Sequence, residues 1–224
     1  MDSHRRTFAK YALATAIALV GLASAAIHTP AYADPGDASL PRDQGAEQFV
    51  QTQGQRLISI LADKSQPMAD KMVAFRAAVD DVADVPEITK FVLGVYARSI
   101  TPTQMQAFAP LFEDYVQNMF LQHLSDFHAD TVTVKNSAAR LPGDVLVTTT
   151  LTGPNTKPTE LAWRVLGSGS NWKVVDVQLS GASLAFLLRN DFVSTMDDQG
   201  GVDALISRLQ QEAARRPAPA PATH

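Results

Sequence analysis

The most reaction-like arrangement in the chain is Gly181-Ala182-Ser183-Leu184-Ala185. It falls where a period-two stretch gives way to a helical one, as the G-x-S-x-G nucleophile elbow does. A serine nucleophile of that kind also needs a histidine base, which follows the serine in hydrolases of this build. The histidine downstream is His224, at the end of a Pro/Ala tail. The same residues have a simpler use, in which Gly181 turns the chain and Ser183 caps a helix starting at Leu184. Hydrolysis through Ser183 is therefore kept only as the alternative reading. His123 and His128 stand five apart, which does not place them on one helical face, and the chain has no cysteine, so no metal site is expected. Asp80, Asp81, Asp84 and Glu87 form an acidic group at a helix end and the start of the next helix, a pattern typical of solvated faces and N-terminal turns. Asp197-Asp198-Gln199-Gly200-Gly201 is too short for a calcium loop, and no glycine-rich phosphate loop is present. The expectation is a protein that is not an enzyme, with no catalytic set, no metal and no cofactor.

What remains is a pattern of apolar faces. From Ala46 the spacing is helical: Phe49, Val50, Leu57, Ile60 and Leu61 share a face, and Met68, Met72, Phe75, Val79 and Val82 form a second stripe. Pro86 opens a third helix carrying Ile88, Phe91, Val92, Val95 and Tyr96, with Gly94 inside it. Thr101-Pro102-Thr103-Gln104 reads as an N-cap, a Pro at the first helical position and a capping-box Gln. The long helix that follows carries Met105, Phe108, Leu111, Phe112, Tyr115, Val116 and Met119, and Pro110 is expected to kink it.

After Phe127 the period becomes two. Strands are expected at Thr131–Lys135, Asp144–Thr152, Thr159–Leu166 and Trp172–Leu179, separated by Gly- and Pro-containing turns, and two helices follow. Val145, Val147 and Leu151 share one face with Leu161, Trp163 and Val165 and with Val175, Val177 and Leu179. The predicted fold class is α+β: an antiparallel four-stranded sheet with helices packed over one face. Periodicity alone does not separate a filled core from a hollow one.

The N-terminus has a basic segment ending at Lys10, an apolar Tyr11–Ile27 stretch and Ala31-Tyr32-Ala33, which together read as a signal peptide over 1–33. Arg5-Arg6-Thr7-Phe8-Ala9-Lys10 also resembles a twin-arginine export signal, so export is expected by that route or the general secretory one. A flexible leader is expected over 34–45, one domain over 46–214 and a disordered tail over 215–224. The chain's net charge is −4. Removing a leader with three basic residues and one acid makes the mature protein −6, which disfavours nucleic acid as a partner.

The last third carries a resemblance. The run Trp172-Lys173-Val174-Val175-Asp176-Val177-Gln178-Leu179-Ser180-Gly181-Ala182-Ser183-Leu184 is similar to W-K-V-x-D-V-x-V-E-G-V-S-L. That motif marks the MlaC-like family, periplasmic phospholipid-binding proteins of the Mla, or toluene-tolerance (Ttg2), ABC transport system. Arg189-Asn190-Asp191-Phe192 resembles the family's R-x-x-F, and Gly200-Gly201-Val202-Asp203-Ala204-Leu205-Ile206 its G-G-x-D-x-L-I. Leu93-Gly94-Val95-Tyr96-Ala97-Arg98 with Thr101-Pro102-Thr103-Gln104 resembles L-G-x-Y-W-R with T-P-x-Q. The similarity runs from about Phe49 to Leu209. Ala97 stands in place of the usual Trp, Ser180 in place of Glu, and Pro110 interrupts a helix that relatives continue.

The resemblance implies a wedge whose sheet and helices enclose an apolar cavity for acyl chains. It implies a periplasmic lipid carrier, glycerophospholipid as ligand, and an inner-membrane ABC transporter complex and an outer-membrane lipoprotein complex as partners. A hopanoid-associated branch of the same family is the alternative. Lipid-lining residues are then expected to be Phe75, Phe91, Tyr96, Phe108, Phe112, Tyr115, Val147, Trp163 and Val177.

Overall fold

The computed structural model describes residues 41–124, 129–154 and 157–215, with side chains at 117 and 120–124 left aside. The expected signal peptide, most of the expected leader and tail, and His128 lie outside these residues, as does the side chain of His123. Asp43 begins the described fold by accepting the Ala46 amide at 2.9 Å, which caps α1 (Gln44–Ala62). Helix α2 (Met68–Val82) follows, then α3 (Val85–Leu93), capped by Asp84 through the Glu87 amide at 3.0 Å. The expected third helix is shorter than its apolar pattern. Gly94 has φ +58° and stops α3, and a 3₁₀ turn, Gly94–Arg98, takes over. A Cβ on Gly94 would stand 3.1 Å from Val193, so the position is also a close approach to a later helix.

Helix α4 (Pro102–Leu124) opens on the expected capping box. The Thr101 amide donates to Gln104 Oε1 at 3.0 Å, and the Gln104 amide donates to Thr101 Oγ1 at 3.2 Å. The helix is continuous through Pro110.

Five strands, not four, form an antiparallel meander in the order β1 (Thr131–Leu141), β2 (Asp144–Thr152), β3 (Thr159–Ser168), β4 (Asn171–Leu179) and β5 (Ala182–Ser183). The fifth is a two-residue return paired with Gln178 and Leu179. β1 continues six residues beyond the expected Lys135, because register shifts after Val134 and Ala139 break the alternation that marks a strand in sequence. A third shift, between Arg164 and Val165, leaves Val175 unpaired on β4, so Val174 rather than Val175 lies opposite Val165. Helices α5 (Leu184–Gln199) and α6 (Val202–Ala214) complete the domain.

Both sheet edges are covered. At β1 the Gln51 side chain donates to the Val132 carbonyl at 2.7 Å and accepts the Val134 amide at 3.1 Å. Gln55 accepts the Val132 amide at 3.0 Å and donates to the Asp130 carbonyl at 2.8 Å. Two glutamines on α1 thus stand in for a neighbouring strand. On the other side Ala83 bridges Val174, and the Asp84 amide donates to the Val174 carbonyl at 2.9 Å.

Candidate functional site

The described apolar residues gather into two principal clusters. The first joins one sheet face to α1 and α2 and contains Val50, Leu57, Phe75, Ala78, Val82, Val145, Val147, Trp163, Val165, Trp172 and Val174. Its polar demands are met inside. Trp163 Nε1 donates to Thr149 Oγ1 at 2.9 Å, and that hydroxyl donates to the Leu161 carbonyl at 3.2 Å.

The second cluster is built from α3, α4, α5 and α6 and contains no strand residue. Phe192 is fully buried at its centre. The Phe192 ring meets Phe108 edge-on at 6.1 Å, Phe112 at 6.0 Å and Tyr115 at 5.5 Å, while Phe108 and Phe112 stack at 5.5 Å. Arg208 lies over Phe192, pairs with Asp191 and Glu212, and donates to Thr195. Burial works against the Arg208 charge, but Asp191 and Glu212 outweigh it and hold the pKa above the ordinary guanidinium value. Burial, and then the Asp191 and Glu212 charges, push the Tyr115 phenol up.

Around each cluster runs a fringe of half-buried apolar side chains. The first has Ile60, Leu61, Met72, Val79, Leu161 and Val177, and the second has Phe91, Leu111, Tyr115, Val116 and Met119 among others. An exposed ion pair joins α2 to α4: Arg76 pairs with Asp114 at 3.0 Å. Arg76 is four residues after Met72 and three before Val79, and Asp114 is three after Leu111, so each charged residue lies on the same helix face as its fringe. Strand β4 also connects the clusters: Asp176 Oδ1 accepts the Ala185 amide at 3.0 Å, where α5 begins. Burial pushes the Asp176 carboxyl up, against hydrogen bonds from Ser183 and from the Ala185 and Val177 amides.

The nine expected lining residues divide between these clusters. Phe75, Val147, Trp163 and Val177 belong with the sheet. Phe91, Tyr96, Phe108, Phe112 and Tyr115 belong with the helices. Val147 and Phe108 are 0% exposed, whereas Val177, Phe91, Tyr96 and Tyr115 are half-buried. Tyr96 Oη donates to Asp197 Oδ1 at 2.7 Å, which raises the Tyr96 pKa chiefly through that bond, and Arg189 covers the Phe91 ring at 5.1 Å. The 3₁₀ turn and α5 also border an open cleft of about 350 Å³, lined by Val95, Arg189, Asn190, Val193, Ser194, Asp197 and Asp198. The apolar spacing of the sequence does not single out Arg76 or Asp114. The available signal was a charge of opposite sign within each of two apolar helix stripes.

The chemistry-like motifs are structural where described. Ser183 Oγ accepts the Phe186 amide at 3.0 Å and caps α5, and Gly181 has φ +84°. Asp81 pairs with Arg56 at 2.9 Å, Glu87 with Lys90 at 3.6 Å, and Asp84 caps α3. Among the described residues no group of three or more His, Cys, Asp or Glu is arranged to hold a metal ion, and no helix is long and apolar enough to cross a membrane.

The chain is similar to the three-dimensional structure of a phospholipid-binding protein from Ralstonia solanacearum in complex with a phospholipid. The TM-score is 0.64 at 26% identity, over 74% of this chain and 97% of that one. It is also 27% identical over 128 residues to the toluene tolerance protein Ttg2D of Pseudomonas putida, a match spanning 57% of this chain and 60% of the relative's length. The MlaC protein family matches residues 51–211, which include α2 to α5, the whole sheet and most of α1 and α6. With most of its two-cluster α+β domain inside that match, the chain belongs to the MlaC protein family.

Proposed function

We propose that this protein is a periplasmic lipid carrier that holds the acyl chains of a phospholipid between its two apolar clusters and moves the lipid between membranes. The observation that carries this reading is the pair of half-buried apolar fringes, Met72, Val79, Leu161 and Val177 at the first cluster and Leu111, Tyr115, Val116 and Met119 at the second, with Arg76 of α2 paired to Asp114 of α4. In this reading Phe91, Tyr96, Tyr115 and Val177 belong to the lining, while Phe75, Phe108, Phe112, Val147 and Trp163 form the rigid wall behind it. The lipid-bound Ralstonia structure and the family membership support it.

The task such a carrier performs is energetic rather than catalytic. Each methylene exposed to water costs about 0.8 kcal/mol, so freeing one sixteen-carbon chain costs roughly 12 kcal/mol. An apolar seam replaces the bilayer's interior at nearly equal free energy, so that transfer is close to balanced and its direction is set by the partners. Those partners are an outer-membrane lipoprotein complex and an inner-membrane ABC transporter. A signal peptide over 1–33 would place the protein between them. Ser183 serves α5 as its cap, which favours the carrier over the hydrolase.

Native mass spectrometry of protein purified from a bacterial periplasm tests the reading. Phospholipid is expected to co-purify, and lipid-free protein is expected to extract labelled phospholipid from vesicles. Hopanoid in its place would select the other branch of the family. Protein that carries no lipid and extracts none would refute the carrier.

A further inference from the structure

The polar connections between the two clusters are of two unequal kinds. Along β4 they are backbone-based and partly buried: the Asp84 amide to the Val174 carbonyl at 2.9 Å, the Ala83–Val174 bridge, and Asp176 to the Ala185 amide at 3.0 Å. Across α2 and α4 the described ion pair is Arg76–Asp114, with side chains 50% and 45% exposed. Helix α2 is meanwhile fastened to the first cluster. Arg56 pairs with Asp81, Lys173 Nζ donates to the Asp81 carbonyl, and the buried Lys71 donates to the Leu61 carbonyl at 3.3 Å. A separation of α2 from α4 would leave these bonds in place.

We infer that Arg76 and Asp114 are positioning residues for lipid passage: their ion pair latches α2 to α4 across the apolar seam, and the clusters part there while β4 serves as the hinge. The inference rests on the carrier reading. Weakness suits the role. An exposed ion pair contributes little and is screened by salt, so it opens readily. Both charges also become fully hydrated when apart, so opening leaves no buried unpaired ion. A pair buried in either cluster would lack that property.

The test is the rate of exchange of labelled phospholipid between loaded protein and zwitterionic vesicles. Arg76→Gln is expected to speed exchange roughly one and a half to fivefold. Arg76→Glu, which sets two carboxylates face to face, is expected to exceed it. The reversed pair, Arg76→Glu with Asp114→Arg, is expected to return towards the parental rate. The chain contains no cysteine, so Arg76→Cys with Asp114→Cys creates a unique pair. Bridging it with a short bis-maleimide after loading is expected to slow exchange at least tenfold, with the unbridged double variant as control. Thermal melting of each single variant should move little, which separates a latch from a merely structural pair. Exchange at the unbridged rate in the bridged protein, or rates indifferent to the charge series, would overturn the latch while leaving the carrier intact. Protein that never takes up lipid would remove the carrier reading and the latch together.

Discussion

The sheet-side and helix-side clusters solve the same packing problem with different materials. The first packs mainly aliphatic residues, with Phe75, Trp163 and Trp172, between a pleated face and two helices, and its order comes from cross-strand register: Val147 lies between Ser137 and Trp163 because β2 is held between β1 and β3. The second is centred on rings, with Phe192 of α5 meeting three rings of α4 and lying under Arg208 of α6. A strand core held by backbone ladders resists displacement of its parts. A helical core held by side chains tolerates small sliding and rotation. In a protein that must admit and release a guest, the stiff half would keep the wall and the compliant half would yield.

The strongest break of this comparison is Val147→Arg. With no exposed surface at Val147, the new charge is buried without a partner, and a loss above about 4–5 kcal/mol is expected. Circular dichroism should show an unfolded chain. Val177→Arg, two strands across the sheet from Val147 on the same face but half-buried, should stay folded by that measure while its bound phospholipid falls in native mass spectrometry. A folded Val147→Arg would mean that the wall is not packed.

Phe192→Ala comes next. Removing a fully buried ring that contacts three others should lower stability by roughly 3–5 kcal/mol in urea unfolding, yet a compact sheet half should survive in hydrogen exchange if the clusters are energetically separate. Uniform loss of protection would show instead that they unfold as one. At the junction, Gly181→Val should cost about 1–3 kcal/mol, since φ is +84° there, and Ser183→Ala about 1 kcal/mol through the lost cap, both read by thermal melting.

The smallest effect is in pH. Hydrogen bonding from Arg42, and more weakly from Ser137, holds the Glu47 carboxyl below its ordinary range against partial burial. Its stabilising contribution is therefore complete above the unfolded carboxylate pKa and is lost as pH falls through the lower folded value. Asp176 has the opposite sign. Burial raises it, so its ionisation weakens the fold as pH rises from the unfolded carboxylate range through the raised folded value. Melting curves against pH should flatten at the acid end in Glu47→Gln, and should lose the opposing slope in Asp176→Asn.

The local parts of this fold were legible because short-range chemistry determines them. The Thr101–Gln104 capping box, the Ser183 cap and the left-handed Gly181 all follow from residues within three positions of one another. The end of α3 was misread because the apolar spacing continues through Val95 and Tyr96, while Gly94 obeys a contact with Val193 nearly a hundred residues away. Val175 was assigned to the wrong group because a bulge shifts the alternation without changing any residue type. The candidate lining was grouped as one surface because each stripe is apolar. The structure divides those stripes between two clusters, and no periodicity encodes which stripe joins which cluster.

The glutamines that border β1 have a consequence for the order in which the chain matures. Gln51 and Gln55 join positions 75 to 83 residues away, so α1 is made long before its partner strand exists. Contacts of such separation are slow to form, because the intervening chain must first be brought into place. Until they do, β1 presents bare amides and carbonyls to any other nascent copy. Docking of α1 is thus what covers this edge of the sheet, and crowding before that step is the hazard this topology carries.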